Sequence, residues 1–210
     1  MGTKRLFWLD PYQKECEARV ERIEGDKIYL DQTVFFAFSG GQESDSGTIN
    51  SVPVKEAVEE GNYIYYILGQ HSLKPRDTVK VRIDWGKRYK LMRLHSAVHI
   101  VYYAFAEKFG KQEMIGSNIS TEKGRLDFSY PENISNLIPE VQKRANEIIG
   151  NGLDIKTGFS GLTERFWKVG EYEQMPCSGT HVKSTKEIGP VILKRKNIGA
   201  GKERIEVYVA

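Results

Sequence analysis

The chain has 210 residues, 40% of them apolar and 28% charged, which suits one large globular domain or two small ones with a substantial core. A mean hydropathy of −0.48, with no run of eighteen apolar residues, excludes a protein that spans a membrane with helices. The net charge of +3 hides an asymmetry, because residues 1–85 carry 11 Lys and Arg against 14 Asp and Glu while the rest carry 20 against 14, so the second part is better suited to face a polyanion.

Residues 1–30 contain Asp10, Glu15 and Glu17 and lack a continuous apolar core, so they read as neither a signal nor a transit peptide. The expected setting is cytoplasmic. Short strands follow in succession. Cys16, Ala18 and Val20 alternate with charges, and Glu24-Gly25-Asp26 turns the chain into a strand over 27–30. Further strands are predicted at 33–38, 52–58, 63–68 and 78–83, with Gly61-Asn62 as a turn. Five or six short strands without a helix predict a small antiparallel barrel.

The pattern changes at Asp84, a candidate N-cap. Leu91, Leu94, Val98, Val101 and Phe105 recur at helical spacing, and Gly110 ends the run. A second helix is predicted over 135–149, with Pro139 in its first turn, where a missing N–H costs nothing. Strands are predicted at 115–120, 125–128, 153–159, 191–194 and 204–209. The expected fold is therefore α+β: a barrel over residues 1–85, then helices on an antiparallel sheet over 86–210.

Only four histidines occur, and three of them fall into spaced pairs with a cysteine. His95 and His99 stand four residues apart on the first helix, on one face and about 5–6 Å apart. Cys177-Ser178-Gly179-Thr180-His181 follows Pro176, so it forms a turn that can fold a thiolate and an imidazole around one point. Two nitrogens from a helix and N and S donors from a loop suit zinc, one ion per chain. The position after His95 is Ser96, not the general-base Glu of a His-Glu-x-x-His metalloprotease. With only Cys16 and Cys177, a disulfide scaffold is excluded.

His-Ser-Ala-Val-His followed about eighty residues later by Cys-Ser-Gly-Thr-His-Val resembles the zinc motifs of the alanyl-tRNA synthetase editing domain and of the freestanding AlaX proteins. The threonyl-tRNA synthetase editing domain shares the arrangement. Residues 38–47, Phe-Ser-Gly-Gly-Gln-Glu-Ser-Asp-Ser-Gly, resemble the glycine-rich segment of the AlaX barrel. Ile115-Gly116-Ser117 and Arg125-Leu126-Asp127-Phe128 resemble two segments of the editing fold. These matches run in the family's order from residue 38 to residue 182, and the length resembles the medium AlaX form. Where synthetase editing domains often carry Gln two residues before the Gly-Ser, this chain has Met114.

The resemblance implies a hydrolase that removes a wrong amino acid, serine or glycine, from the acceptor end of alanine tRNA. His95, His99, Cys177 and His181 are carried over as zinc ligands. Four protein ligands close a tetrahedral shell, whereas a catalytic zinc keeps a position for water or substrate, so the ion is either catalytic or an orienting group. No single general base is assigned. Gly40, Gly41, Gln42 and Asp45 are expected near the tRNA 3′ end, and Ser117, Asn118 and Thr121 are expected to line the amino-acid pocket. Lys87, Arg88, Lys90 and Arg93, one turn ahead of His95, are expected to meet phosphates. A zinc-dependent hydrolase of small esters or thioesters, and a non-catalytic RNA-binding module with structural zinc, are the competing readings. A monomer and a homodimer are equally compatible with the sequence.

Overall fold

The structure, a computed structural model, describes residues 2–161 and 163–210. The chain divides into two compact units, one of residues 1–39 and 43–89 and one of residues 40–42 and 90–210.

The first unit contains β1 (Lys4–Arg5), β2 (Glu15–Glu24), β3 (Lys27–Leu30), β4 (Gln32–Thr33), β5 (Gly47–Ile49), β6 (Val52–Glu60), β7 (Tyr63–Leu68) and β8 (Thr78–Ile83). Strands β2-β3-β7-β6-β5-β8 close into a barrel in which every neighbouring pair is antiparallel. Alternation drives this. In β8, Val79, Val81 and Ile83 face inward while Thr78, Lys80 and Arg82 are exposed. The inward residues join Val20, Ile28, Leu30, Ile49, Ile64 and Tyr66 in one core.

The strand expected over 33–38 is cut short. Only Gln32–Thr33 pairs as β4, and Val34, Phe35, Phe36 and Ala37 are buried outside any strand. Their backbone groups are met by side chains and by the Asp45 backbone N–H instead of a ladder. Phe36 N–H donates to Asp45 Oδ2 at 2.8 Å, Phe35 N–H to Thr33 Oγ1 at 3.0 Å, and Val34 C=O accepts from Arg88 Nη2 at 2.7 Å. An apolar run can be buried without being a strand if each polar group finds such a partner.

The helix α1 (Trp85–Phe109) begins where Asp84 Oδ1 accepts from Lys87 N–H at 3.1 Å and ends at Gly110, whose φ is +79°. The division between the units falls within it, after Tyr89. The second unit adds β9 (Met114–Ile119), β10 (Gly124–Ser129), α2 (Ile138–Gly150), β11 (Ile155–Ser160), β12 (Glu164–Val169), β13 (Met175–Pro176), β14 (Val191–Gly199) and β15 (Lys202–Val209). One antiparallel sheet has the order β14-β15-β10-β9 and a second the order β11-β12-β13.

Helix α1 packs closely on β10. A Cβ at Gly124 would lie 2.3 Å from Val98 Cγ2, and Phe105 stacks on Phe128 at 4.9 Å. Helix α2 presents Val141, Ala145 and Ile148 to the core and carries Pro139 in its first turn. The fold is α+β, as the sequence predicts. No helix among the described residues is long and apolar enough to cross a membrane.

Candidate metal centre

The second unit brings His95, His99, Cys177 and His181 together, with one potential ligand atom from each lying within 4.8 Å of all the others. On α1, His95 and His99 stack with ring centroids 5.0 Å apart and planes 13° apart. The other pair is delivered by the smaller sheet. Met175 and Pro176 pair with Trp167 and Phe166, and Cys177 N–H then donates to Arg165 C=O at 2.9 Å. Cys177 Sγ sits 3.2 Å from His181 Nε2 and 3.5 Å from His95 Nε2. Tetrahedral S and N ligands around one zinc lie about 3.5 Å apart, given bonds near 2.3 and 2.0 Å.

The fourth donor carries the sharpest sign. His99 Nε2 is buried and has no hydrogen-bond partner among the described residues. A buried polar atom left unmet costs stability unless something absent from the protein chain meets it. Burial drives the imidazoles toward the neutral form. His99 is pushed down to about 4, while His95 and His181 are pushed well below their ordinary value by burial and then by neighbouring imidazoles. Burial raises the Cys177 thiol to about 11, against the opposing pull of the Gly179 N–H and the Arg165 charge. Three neutral imidazoles and one thiol that loses its proton on binding make a donor set that fits zinc.

Around these donors lies a shell that motif spacing did not reveal. Gln42 is fully buried. Its Oε1 lies 2.7 Å from His95 Nδ1 and accepts from Thr180 N–H at 3.0 Å, and its Nε2 donates to Thr180 Oγ1 at 2.9 Å. Ser96 Oγ lies 3.4 Å from His181 Nδ1 and accepts from Val182 N–H at 3.3 Å. Trp167, fully buried, stacks on His99 at 4.6 Å. Its strand reads against hydrophobic expectation because Arg165, Trp167 and Val169 are the buried positions and Phe166 is not.

The remaining residues singled out from the sequence have varied placements. Gly40 and Gly41 adopt φ of +56° and +83°, and a Cβ on Gly41 would lie 2.7 Å from Ser117 C=O. Gly41 C=O accepts from Ile119 N–H at 2.8 Å and from Asn118 Nδ2 at 3.1 Å, so the Asn118 amide holds the glycine segment. Ser117 is half-buried on β9, and Thr121 stands in the turn before β10. Gln42, expected to meet substrate, has both polar ends engaged inside the protein.

Asp45 and Arg88 require a correction. Both are buried in the first unit and form a two-point ion pair, with Arg88 Nε donating to Asp45 Oδ1 at 2.9 Å and Nη2 to Asp45 Oδ2. Arg88 also donates to Pro11 C=O at 2.9 Å and Val34 C=O, which leaves it no access to a phosphate. Arg93 is similarly committed, donating to the carbonyls of Glu187, Ile188 and Ala210. Lys87 pairs with Glu43 at 2.7 Å, whereas Lys90 is exposed.

A closed antiparallel barrel with an α+β unit that gathers four N and S donors defines a class of two-unit chains with one cluster of potential metal ligands. The family model of the threonyl and alanyl tRNA synthetase second additional domain matches residues 165–206, and that of class II (A) tRNA synthetases matches residues 7–87. The chain is 39% identical to the alanyl-tRNA editing protein AlaX-M of Pyrococcus horikoshii, over 99% of this chain and 98% of that one. It is 35% identical to the AlaX-M protein of Saccharolobus solfataricus, over 97% of each. It is also 34% identical to the alanine–tRNA ligase of Methanococcus maripaludis, covering 97% of this chain and 26% of the ligase. The chain belongs to the AlaX-M family of alanyl-tRNA editing proteins.

Proposed function

We infer that this chain is a hydrolase that edits in trans, cleaving the ester between a wrong amino acid and the 3′ end of alanine tRNA. The observation that carries this reading is the buried four-donor cluster, with His99 Nε2 unmet, in a chain matched along its whole length by editing proteins. Serine is the expected error. A synthetase pocket shaped for alanine cannot strongly reject an isostere with one added hydroxyl, so a second, hydrolytic site is needed.

In this reading His95, His99, Cys177 and His181 hold one zinc ion, which when bound supplies Lewis acidity and a fixed point for orienting substrate. Burial keeps the three imidazoles unprotonated, so the donors are ready at neutral pH. Ser117 lies on the strand that holds the glycine segment, and its hydroxyl is the candidate for recognising the serine side chain, with Thr121 at the pocket edge. The second unit carries the chemistry. Gly40 and Lys90 contribute to holding the acceptor end.

Rates of deacylation on one alanine tRNA charged with serine, glycine or alanine test this. Each buried polar group left unpaired by alanine costs roughly 1–3 kcal/mol, so two of them protect Ala-tRNA by about a hundredfold or more. Glycine also lacks the hydroxyl and should be a poor substrate. Failure of the zinc-loaded protein to deacylate Ser-tRNA overturns the assignment. Equal rates for serine and glycine overturn only the hydroxyl mechanism.

A further inference from the structure

Gln42 is separated in sequence from every metal-centre residue, yet it forms hydrogen bonds with both ligand-bearing segments. The orientation of its amide follows from its partners. Thr180 N–H is a donor, so the atom facing it at 3.0 Å must be the oxygen, and the amide nitrogen then donates to Thr180 Oγ1 at 2.9 Å. That same oxygen lies 2.7 Å from His95 Nδ1. An oxygen acceptor there requires His95 to carry its proton on Nδ1, which leaves the lone pair on Nε2, the nitrogen 3.5 Å from Cys177 Sγ.

Two further features protect this contact. A Cβ at Gly179 would lie 2.3 Å from His95 Cε1, 2.5 Å from His95 Nδ1 and 2.7 Å from Gln42 Oε1. The loop between Cys177 and His181 can therefore cross the bond only if residue 179 has no side chain. The segment carrying Gln42 is anchored as well, because Gly41 C=O accepts from both Ile119 and Asn118.

We propose that Gln42 is a positioning residue of the metal centre: one amide oxygen takes the Nδ1–H of His95 and the N–H of Thr180, holds His95 as an Nε2 ligand, and ties the helix pair of ligands to the loop pair. This rests on the zinc reading above. Outer partners of this kind fix tautomer and ring orientation, and their loss costs about 10–100-fold in metal affinity.

Two-bond ¹H–¹⁵N NMR spectra of the histidine rings in the metal-free wild-type protein should show His95 protonated at Nδ1. Gln42→Leu removes the acceptor and should raise the zinc Kd about 10–100-fold in competition with a chelator, and shift the visible bands of the cobalt-substituted protein. Gln42→Glu keeps an oxygen at that position and should retain zinc affinity within a few-fold. Gly179→Ala should reproduce the leucine phenotype without altering Gln42. If Gln42→Leu does not fold, the wild-type spectrum decides the matter. His95 protonated at Nε2 in the metal-free protein, or wild-type zinc affinity and cobalt bands in Gln42→Leu, would overturn the role of Gln42 alone. A wild-type protein that takes up no zinc would overturn the reading beneath it.

Discussion

Each unit buries a polar centre, and the two differ in how completely the protein meets it. In the first unit, all three guanidinium nitrogens of Arg88 donate, to Asp45, Pro11 and Val34. Asp45 in turn accepts from Phe36 N–H and holds the apolar run 34–37 in place. In the second unit, His95 and His181 have partners on their outer nitrogens, but His99 Nε2 has none. A buried network with every donor met is an element of architecture. One that leaves a ring nitrogen unmet in a cluster of four donors points to a ligand. The same burial that makes Arg88 unsuitable for binding RNA makes His99 suitable for binding a metal.

The largest effect should come from breaking the closed network. Arg88→Ala leaves the Asp45 carboxylate buried and alone, and losing one partner of a buried pair costs about 3–5 kcal/mol. Urea denaturation of the two proteins measures this. A loss below about 1 kcal/mol, with a changed dependence of tRNA binding on salt, would restore Arg88 as a phosphate contact.

The second centre should respond to metal instead. Zinc at a free concentration a hundred times its Kd should stabilise the protein by about 2.7 kcal/mol, since only the folded state gathers the donors. Thermal unfolding with and without zinc shows the gain, and Cys177→Ala should abolish most of it. The same addition to Arg88→Ala should stabilise that variant by a similar amount, provided it folds, because its centre lies in the other unit.

The metal-free protein carries a pH signature of the difference. Burial holds His99 at about 4, below its ordinary 6.5, so unfolding takes up a proton between those values. The stability this contributes is present above about pH 6.5 and lost as the pH falls toward 4. His95 and His181, pushed down by burial and their neighbours, act in the same direction. His99→Leu removes both the titration and the unmet nitrogen. At pH 7 the metal-free variant should be at least as stable as the wild type, with a flatter decline in acid. A loss of several kcal/mol would show that His99 is packed rather than poised.

The architecture was largely readable because alternation and helical spacing are local. β3, β7 and β8 have the bounds that the sequence predicts, and Asp84 and Gly110 mark the ends of α1. The failures are equally local in cause. Residues 34–37 look like a strand, but their hydrogen bonds go to Asp45, Thr33 and Arg88. β12 was missed because an arginine occupies an inward position and a phenylalanine an outward one. In the candidate site, the four donors were legible from the scarcity and spacing of His and Cys. Gln42 was singled out only as a substrate contact, and Ser96 and Trp167 not as site residues, since their roles arise from packing between segments far apart in the chain. Gly179 was a further hint, a glycine between two ligands where a side chain would strike His95.

The smallest effect should separate neighbours on α1 whose charges look alike in sequence. Arg88 is buried, Lys87 is paired with Glu43, and Lys90 is exposed. A cation that neutralises one phosphate releases counterions, so its removal lowers the slope of log K against log salt by about 0.7–0.9. Lys90→Gln should therefore raise the KM for charged tRNA a few-fold, flatten the salt dependence by about one contact and leave kcat nearly intact, because the lost contact serves ground state and transition state alike. Lys87→Gln should do less, since the Glu43 carboxylate already offsets that charge. Titrating kcat/KM against salt for both variants measures the difference. Equal slopes for wild type and Lys90→Gln would place the tRNA backbone on another face of the second unit, with Lys194 and Lys196 as the next candidates, both exposed on β14.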